Sequence, residues 1–180
     1  MIQPDDMALI EAALSGQRRA FDELVERYYK VIFNVALRMI SDKNDAADIT
    51  QSVFIKAFTN LKSYNSKFKF FSWIYRIAVN ESLNFIKSQE QRSEELNDEF
   101  PEEHTPESLS LRSELELKIQ NALMKLKPEH RAVIILTHFQ GLSYREAGDI
   151  LHIPEKTVKS RLFSSRQMLK ELLIQDGVEY

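Results

Sequence analysis

The chain has 180 residues, 43% of them hydrophobic, with Gly 4, Pro 5, Cys 0 and a formal net charge of −3. That is enough apolar material for one compact domain or two small ones, and so few breakers favour helices over strands. Cys 0 excludes disulfides and thiolate chemistry, no apolar run approaches the roughly 18 residues of a bilayer span, and the opening Met1-Ile-Gln-Pro-Asp-Asp6 lacks a basic secretory start. The expectation is a cytoplasmic protein with no direct membrane insertion.

In chain order, a short helix from Met7 to Leu14 ends at Gly16. A long one from about Arg19 to Ile40 carries Phe21, Leu24, Val25, Tyr28, Ile32, Val35, Ala36 and Met39 at three- and four-residue spacing. Asn44 or Asp45 starts a third, with Ile49, Val53, Phe54, Ala57 and Leu61 along it. A fourth spans about Phe70 to Lys87, with Ile74, Ile77, Ala78, Leu83 and Ile86 turned inward. No segment alternates as a strand does, so the fold is expected to be all-α.

Between Ile49 and Asn80 there is no carboxylate, yet Lys56, Lys62, Lys67, Lys69 and Arg76 are present. Tyr64, Phe68, Phe70, Phe71, Trp73 and Tyr75 crowd its second half. Cations track a phosphate backbone while aromatic faces stack on unpaired bases, so the mixture suits single-strand binding. Phe70 and Trp73 fall at helix positions that point into a core. Tyr64, Asn65, Ser66 and Lys67 lie in the loop before the fourth helix, where exposed function is expected.

Glu90 to Glu107 holds eight carboxylates against Arg92 alone, a local −7 that leaves the rest of the chain at +4. With Pro101 and Pro106 and little apolar periodicity, it reads as a flexible acidic linker. The chain therefore divides into a domain over 1–88, a linker over 89–112, and a second helical domain over 113–180.

Within the second domain, Gly141 to Arg166 describes two helices and a tight turn. Ser143 and Glu146 have the spacing of a capping box, and Ala147, Ile150 and Leu151 form a buried stripe. His152-Ile153 breaks the pattern, and Pro154 suits the first position of the next helix. At about 100° per residue, Lys156, Lys159, Phe163, Arg166 and Lys170 fall within roughly 80° of one another, opposite Val158, Leu162, Leu169 and Leu172. Thr157, Ser160 and Ser164 form a hydroxyl strip on one flank. Such a helix packs by one face and offers cations, hydroxyls and an aromatic ring to a DNA major groove from the other. The plainer reading is a surface helix that is merely basic.

With these residues in view, the chain resembles bacterial sigma factors of the extracytoplasmic-function (ECF) group, the minimal type with two promoter-binding domains. Asp45-Ala-Ala-Asp-Ile-Thr-Gln-Ser-Val-Phe-Ile-Lys-Ala-Phe58 and Trp73-Ile-Tyr-Arg-Ile-Ala-Val-Asn80 carry the resemblance, together with the helix-turn-helix. It implies two small helical domains, the second a four-helix helix-turn-helix domain, and a protein that directs core RNA polymerase to promoters. Asp45, Asp48 and Gln51 would dock on the polymerase. Lys56, Tyr64, Asn80 and Asn84 would handle the non-template single strand of the downstream element, one base flipped into a pocket beneath the loop between the third and fourth helices; Asn65 and Lys67 of that exposed loop are candidates for the same strand. Lys159, Ser160, Phe163 and Arg166 would read the duplex upstream element; Lys156 and Thr157 join them as DNA-binding candidates from the helix-face reading alone. An anti-sigma factor is the further partner implied. Arg161 falls nearer the packing face and suits a phosphate contact or a buried-edge ion pair.

Some positions depart from that family's pattern: Ala47 and Ser52 replace acids, Gly148 replaces Ala, Lys156 replaces Gly, and Ser164 stands where a base is frequent. Two other classes compete. A one-component or response-regulator transcription factor would need a sensor domain. An enzyme would need a site, but His104, His130, His138 and His152 lack metal-ligand spacing, and no phosphate loop or Ser, His and Asp arrangement is present. Asp45 and Asp48 could hold a divalent ion, although paired surface acids usually hold none. No catalytic residue, metal or cofactor is expected.

Overall fold

The computed structural model describes residues 5–96 and 114–178. In the first domain, α1 (Asp6–Leu14), α2 (Arg18–Ile40), α3 (Lys43–Thr59) and α4 (Phe70–Leu96) are joined by short turns, with a 3₁₀ turn at Leu61–Ser63. α2 is central and packs on the other three helices. Its stripe of Ile32, Val35, Ala36 and Met39 is fully buried, against Val53, Ala57, Ile74 and Ala78. Arg27 and Tyr28 both donate to the Asp6 carboxylate at 2.5 Å, tying α1 down. Burial and that carboxylate push the Tyr28 phenol well above its ordinary range.

Two ends differ from the sequence expectation. α3 starts at Lys43, because Asp42 is its cap and accepts from the amides of Asn44 (2.8 Å) and Asp45 (2.9 Å). α4 continues to Leu96 instead of stopping at Lys87. Residues 88–96 hold two Gln and three Glu, with one Arg and neither Gly nor Pro, so helix propensity carries the backbone beyond Lys87. The remainder of the expected acidic linker lies outside the described residues.

The second domain comprises α5 (Glu114–Met124), α6 (Pro128–Ile134) running into a π-helical turn (Ile135–Phe139), α7 (Tyr144–Leu151) and α8 (Glu155–Gln175). Ala132 through Leu136 are buried as a block beneath α8. The capping box expected at α7 is present: the Ser143 hydroxyl accepts from the Glu146 amide, and the Glu146 carboxylate accepts from the Ser143 amide at 3.0 Å. Those bonds, with Lys69 beside it, hold the Glu146 carboxyl below its usual range. His152 ends α7 in the left-handed region at φ 53°. Pro154 is the residue before α8 rather than its first, with an extended ψ of 147°.

The two domains pack on each other, α4 against α7 and the end of α2 against α5, α6 and the π-helical turn. Among the described residues there is no strand, and no helix is long and apolar enough to cross a membrane.

Candidate nucleic-acid interface

α8 is held by one face and offers the other. Val158, Leu162 and Leu173 are buried, whereas Lys156, Lys159, Ser160, Arg166 and Lys170 are exposed and Phe163 is 68% exposed. An aromatic ring that bare costs hydration unless something covers it. Lys159, Phe163 and Arg166 share one groove of about 680 Å³ with Tyr144 and His138. Thr157 is half-buried, and Lys156, Thr157 and Ser160 lie outside that groove. The Ser160 and Ser164 hydroxyls donate back to the carbonyls of Thr157 and Ser160, which leaves their oxygens as acceptors.

Electrostatics trim this face. Lys159 Nζ sits 2.9 Å from the Glu155 carboxylate one turn earlier, which raises the lysine pKa. His138 has its pKa lowered, by burial first and by the Arg166 charge second. Behind the face, Ser165 donates to the Arg161 carbonyl at 2.6 Å. With its proton so used, its oxygen accepts from His130 Nδ1 at 2.8 Å, tying α6 to α8.

In the first domain, Tyr64 and Lys67 line a cavity of about 350 Å³ together with Asp5, Asp6, Phe68, Lys69 and Phe71. Asn65 supports the loop: its side chain accepts from the Lys67 amide at 3.0 Å. The Tyr64 ring is half-buried and packs on Phe70 and Trp73, with centroids 5.7 and 5.4 Å away, and its phenol donates to the Phe68 carbonyl. Phe70 is buried and Trp73 half-buried, so both serve the core. The bare aromatic of this loop is Phe68, 49% exposed, a residue the sequence reading did not single out. Asn80 and Asn84 are exposed one turn apart on α4. Lys56 reaches the same helix, 2.6 Å from Glu81, which also accepts from Ser52 at 3.0 Å. Ser52, an acid in the family pattern, is here a hydroxyl donor to an acid on the neighbouring helix.

Asp48 and Gln51 line a third groove of about 560 Å³ between α2 and α3, floored by Phe21 and Phe54 and rimmed by exposed Tyr29, Ile55 and Phe58. Asp45 lies outside it, at the capped start of α3. Among the described residues, no group of three or more His, Cys, Asp or Glu side chains comes together as a metal site.

Two sequence families match these two domains: Sigma-70 region 2 over residues 24–92, and Sigma-70 region 4 over residues 116–169. The chain is 34% identical to the ECF RNA polymerase sigma-E factor of Haemophilus influenzae, over 93% of this chain and 95% of that one. The chain belongs to the sigma-70 family, in its ECF group. It is likewise 32% identical to the ECF sigma factor SigW of Bacillus subtilis, over 91% of this chain and 94% of that one. Among solved structures, CnrH in complex with the cytosolic domain of CnrY is similar at 26% identity, with a TM-score of 0.73 over 95% of this chain and 98% of that one.

In this sigma factor, the departure at Gly148 has a local cause. A Cβ there would lie 2.7 Å from the Ile153 carbonyl oxygen, in the turn between α7 and α8. What sequence reasoning missed was the seam between the domains. Lys69 meets Glu146 at 3.4 Å, Arg76 donates to the Asp149 carbonyl at 2.6 Å, and Tyr75 donates to Gln140 at 2.9 Å. No spacing along the chain signals a pairing between residues so far apart in sequence.

Proposed function

We propose that the sigma factor divides a promoter between its two domains, with no catalytic activity of its own, and that it works in the cytoplasm on core RNA polymerase. Lys159, Phe163 and Arg166 read base edges of the duplex upstream element in the major groove, while Lys156, Thr157 and Ser160 supply phosphate contacts and acceptors along its edge. The loop cavity beside Tyr64 takes one unstacked base of the non-template strand. Lys67 follows its phosphates, Phe68 stacks on a neighbour, and Asn65 and Tyr64 hold the loop in shape. Lys56, Asn80 and Asn84 continue that track along α3 and α4. The groove carrying Asp48 and Gln51 docks the polymerase, with Asp45 as an outlying acid. An anti-sigma factor is a further partner; the similar CnrH was solved bound to the cytosolic domain of CnrY.

The observation that carries this reading is the bare ring of Phe163 between two cations on a helix whose other face is buried. Run-off transcription with core polymerase tests it. Specific transcripts should depend on the protein, and Asp48→Lys combined with Gln51→Ala should lower polymerase binding without loss of helicity. Absence of both transcripts and polymerase binding would refute it.

A further inference from the structure

α6 does not end as an ordinary helix. It runs into the π-helical turn Ile135–Phe139, where the Gln140 amide donates to the Ile135 carbonyl, five residues back, at 3.0 Å. Such widened turns are frequent at functional sites, because the extra residue changes which side chains a helix presents. Here the change falls at His138. Ile135 and Leu136 of the same turn are buried, whereas His138 is exposed. Its ring lines the same groove as the bare Phe163 and Arg166 of α8 and Tyr144 of α7. Among the described residues, no protein group bonds to either nitrogen of that ring.

The charges around it are one-sided. Lys159, Arg166 and Lys170 of α8 line the groove with Tyr144, and among the described residues of that lining there is no carboxylate. The turn also packs on α2 and α6, whose charged groups face elsewhere. Arg38 of α2 lies 3.7 Å over the Phe139 ring. Arg131 of α6 is only 4% exposed and donates to the carbonyls of Leu123, Met124, Leu126 and Met39. His130 of α6 is bonded to Ser165. Burial first, and the Arg166 charge second, disfavour a proton on His138. An anion entering the groove would oppose the second effect.

The position of His138 says which anion that is. It stands just before α7, the first helix of the helix-turn-helix, and in such modules this part crosses the duplex backbone while the second helix reads bases. We propose that His138 is a further DNA contact of this sigma factor: its imidazole takes up a proton from solvent as the groove closes on the duplex upstream element, and donates to a backbone phosphate. This rests on the reading of α8 as the duplex reader. Affinity for DNA then rises as pH falls, because binding carries a proton with it.

Anisotropy of the full chain on a dye-labelled, random-sequence duplex of about 20 base pairs at low salt tests this, since a phosphate contact needs no particular sequence. From about pH 8 to about pH 6 affinity should rise about fivefold, one proton allowing at most tenfold per pH unit. His138→Asn should lose that rise with helicity retained. His138→Lys, charged throughout, should bind at about pH 8 as tightly as the unaltered chain does at about pH 6. At the lower pH, the salt slope of the unaltered chain should exceed that of His138→Asn by up to about 0.9, the increment for one phosphate, and at the higher pH the two should coincide. An equal rise in His138→Asn, or equal salt slopes at the lower pH, would overturn the contact. If Arg166→Ala weakens binding at both pH values while His138→Asn is silent, α8 stands as the duplex reader and His138 alone is removed. No binding by the unaltered chain, or binding that neither substitution changes, would overturn both.

Discussion

Gly148 lies against the backbone of Ile153: its missing side chain leaves room for the Ile153 carbonyl, 2.7 Å from where a Cβ would sit, while the Ile153 amide donates to the Gly148 carbonyl at 3.0 Å. The two residues close the turn that sets α8 against α7. Helix propensity alone predicts that Gly148→Ala stabilises the protein by up to about 1 kcal/mol. The clash with a backbone atom reverses the sign. Gly148→Ala should destabilise the chain by about 1–3 kcal/mol, the usual cost of overpacking, seen as a lower urea midpoint.

Lys159 and Glu155 make a prediction of opposite signs on one helix turn. Lys159→Ala or Phe163→Ala should weaken binding to the upstream element, a good base contact contributing about 1–3 kcal/mol. Glu155→Gln should strengthen it, since the carboxylate holds Lys159 and repels phosphate. The gain should shrink as salt rises. Fluorescence anisotropy on one duplex at two salt concentrations checks both signs.

Asn80 and Tyr64 should separate function from packing. Asn80→Ala changes an exposed side chain, so stability should stay within about 0.5 kcal/mol while strand opening falls. Tyr64→Ala removes a ring packed on Phe70 and Trp73 and should lower stability by about 2–4 kcal/mol along with activity. Tyr64→Phe keeps the ring and loses the bond to the Phe68 carbonyl, so it should loosen the loop with a smaller stability loss. Thermal unfolding and permanganate footprinting of the opened strand give the two readouts.

His138 predicts a pH dependence. Its pKa is lowered in the folded chain by burial and by Arg166, so the unfolded chain binds the proton more readily. Below the unfolded value of about 6.5 the unfolded state gains protons that the folded state does not, and stability falls with falling pH; above it the histidine has no effect. His138→Asn should flatten the urea midpoint between about pH 5 and 6.5 and leave it unchanged at pH 8.

The sequence by itself determined the helices, their inward faces, the capping box of Ser143 and Glu146 and the bare face of α8, because each follows from spacings within a few turns of one helix. Even the ends that moved, at Lys43 and Leu96, did so for local reasons: the Asp42 cap and the propensity of residues 88–96. Three things needed the tertiary structure. Whether the Tyr64 ring faces a strand or rests on Phe70 and Trp73 depends on how the loop folds over α4. Whether Gly148 is a weak helix residue or a required gap depends on where Ile153 arrives. The pairing of Arg131 with the carbonyl of Met39 depends on two helix ends meeting across domains, and a backbone carbonyl carries no mark in the sequence that a distant arginine will find it.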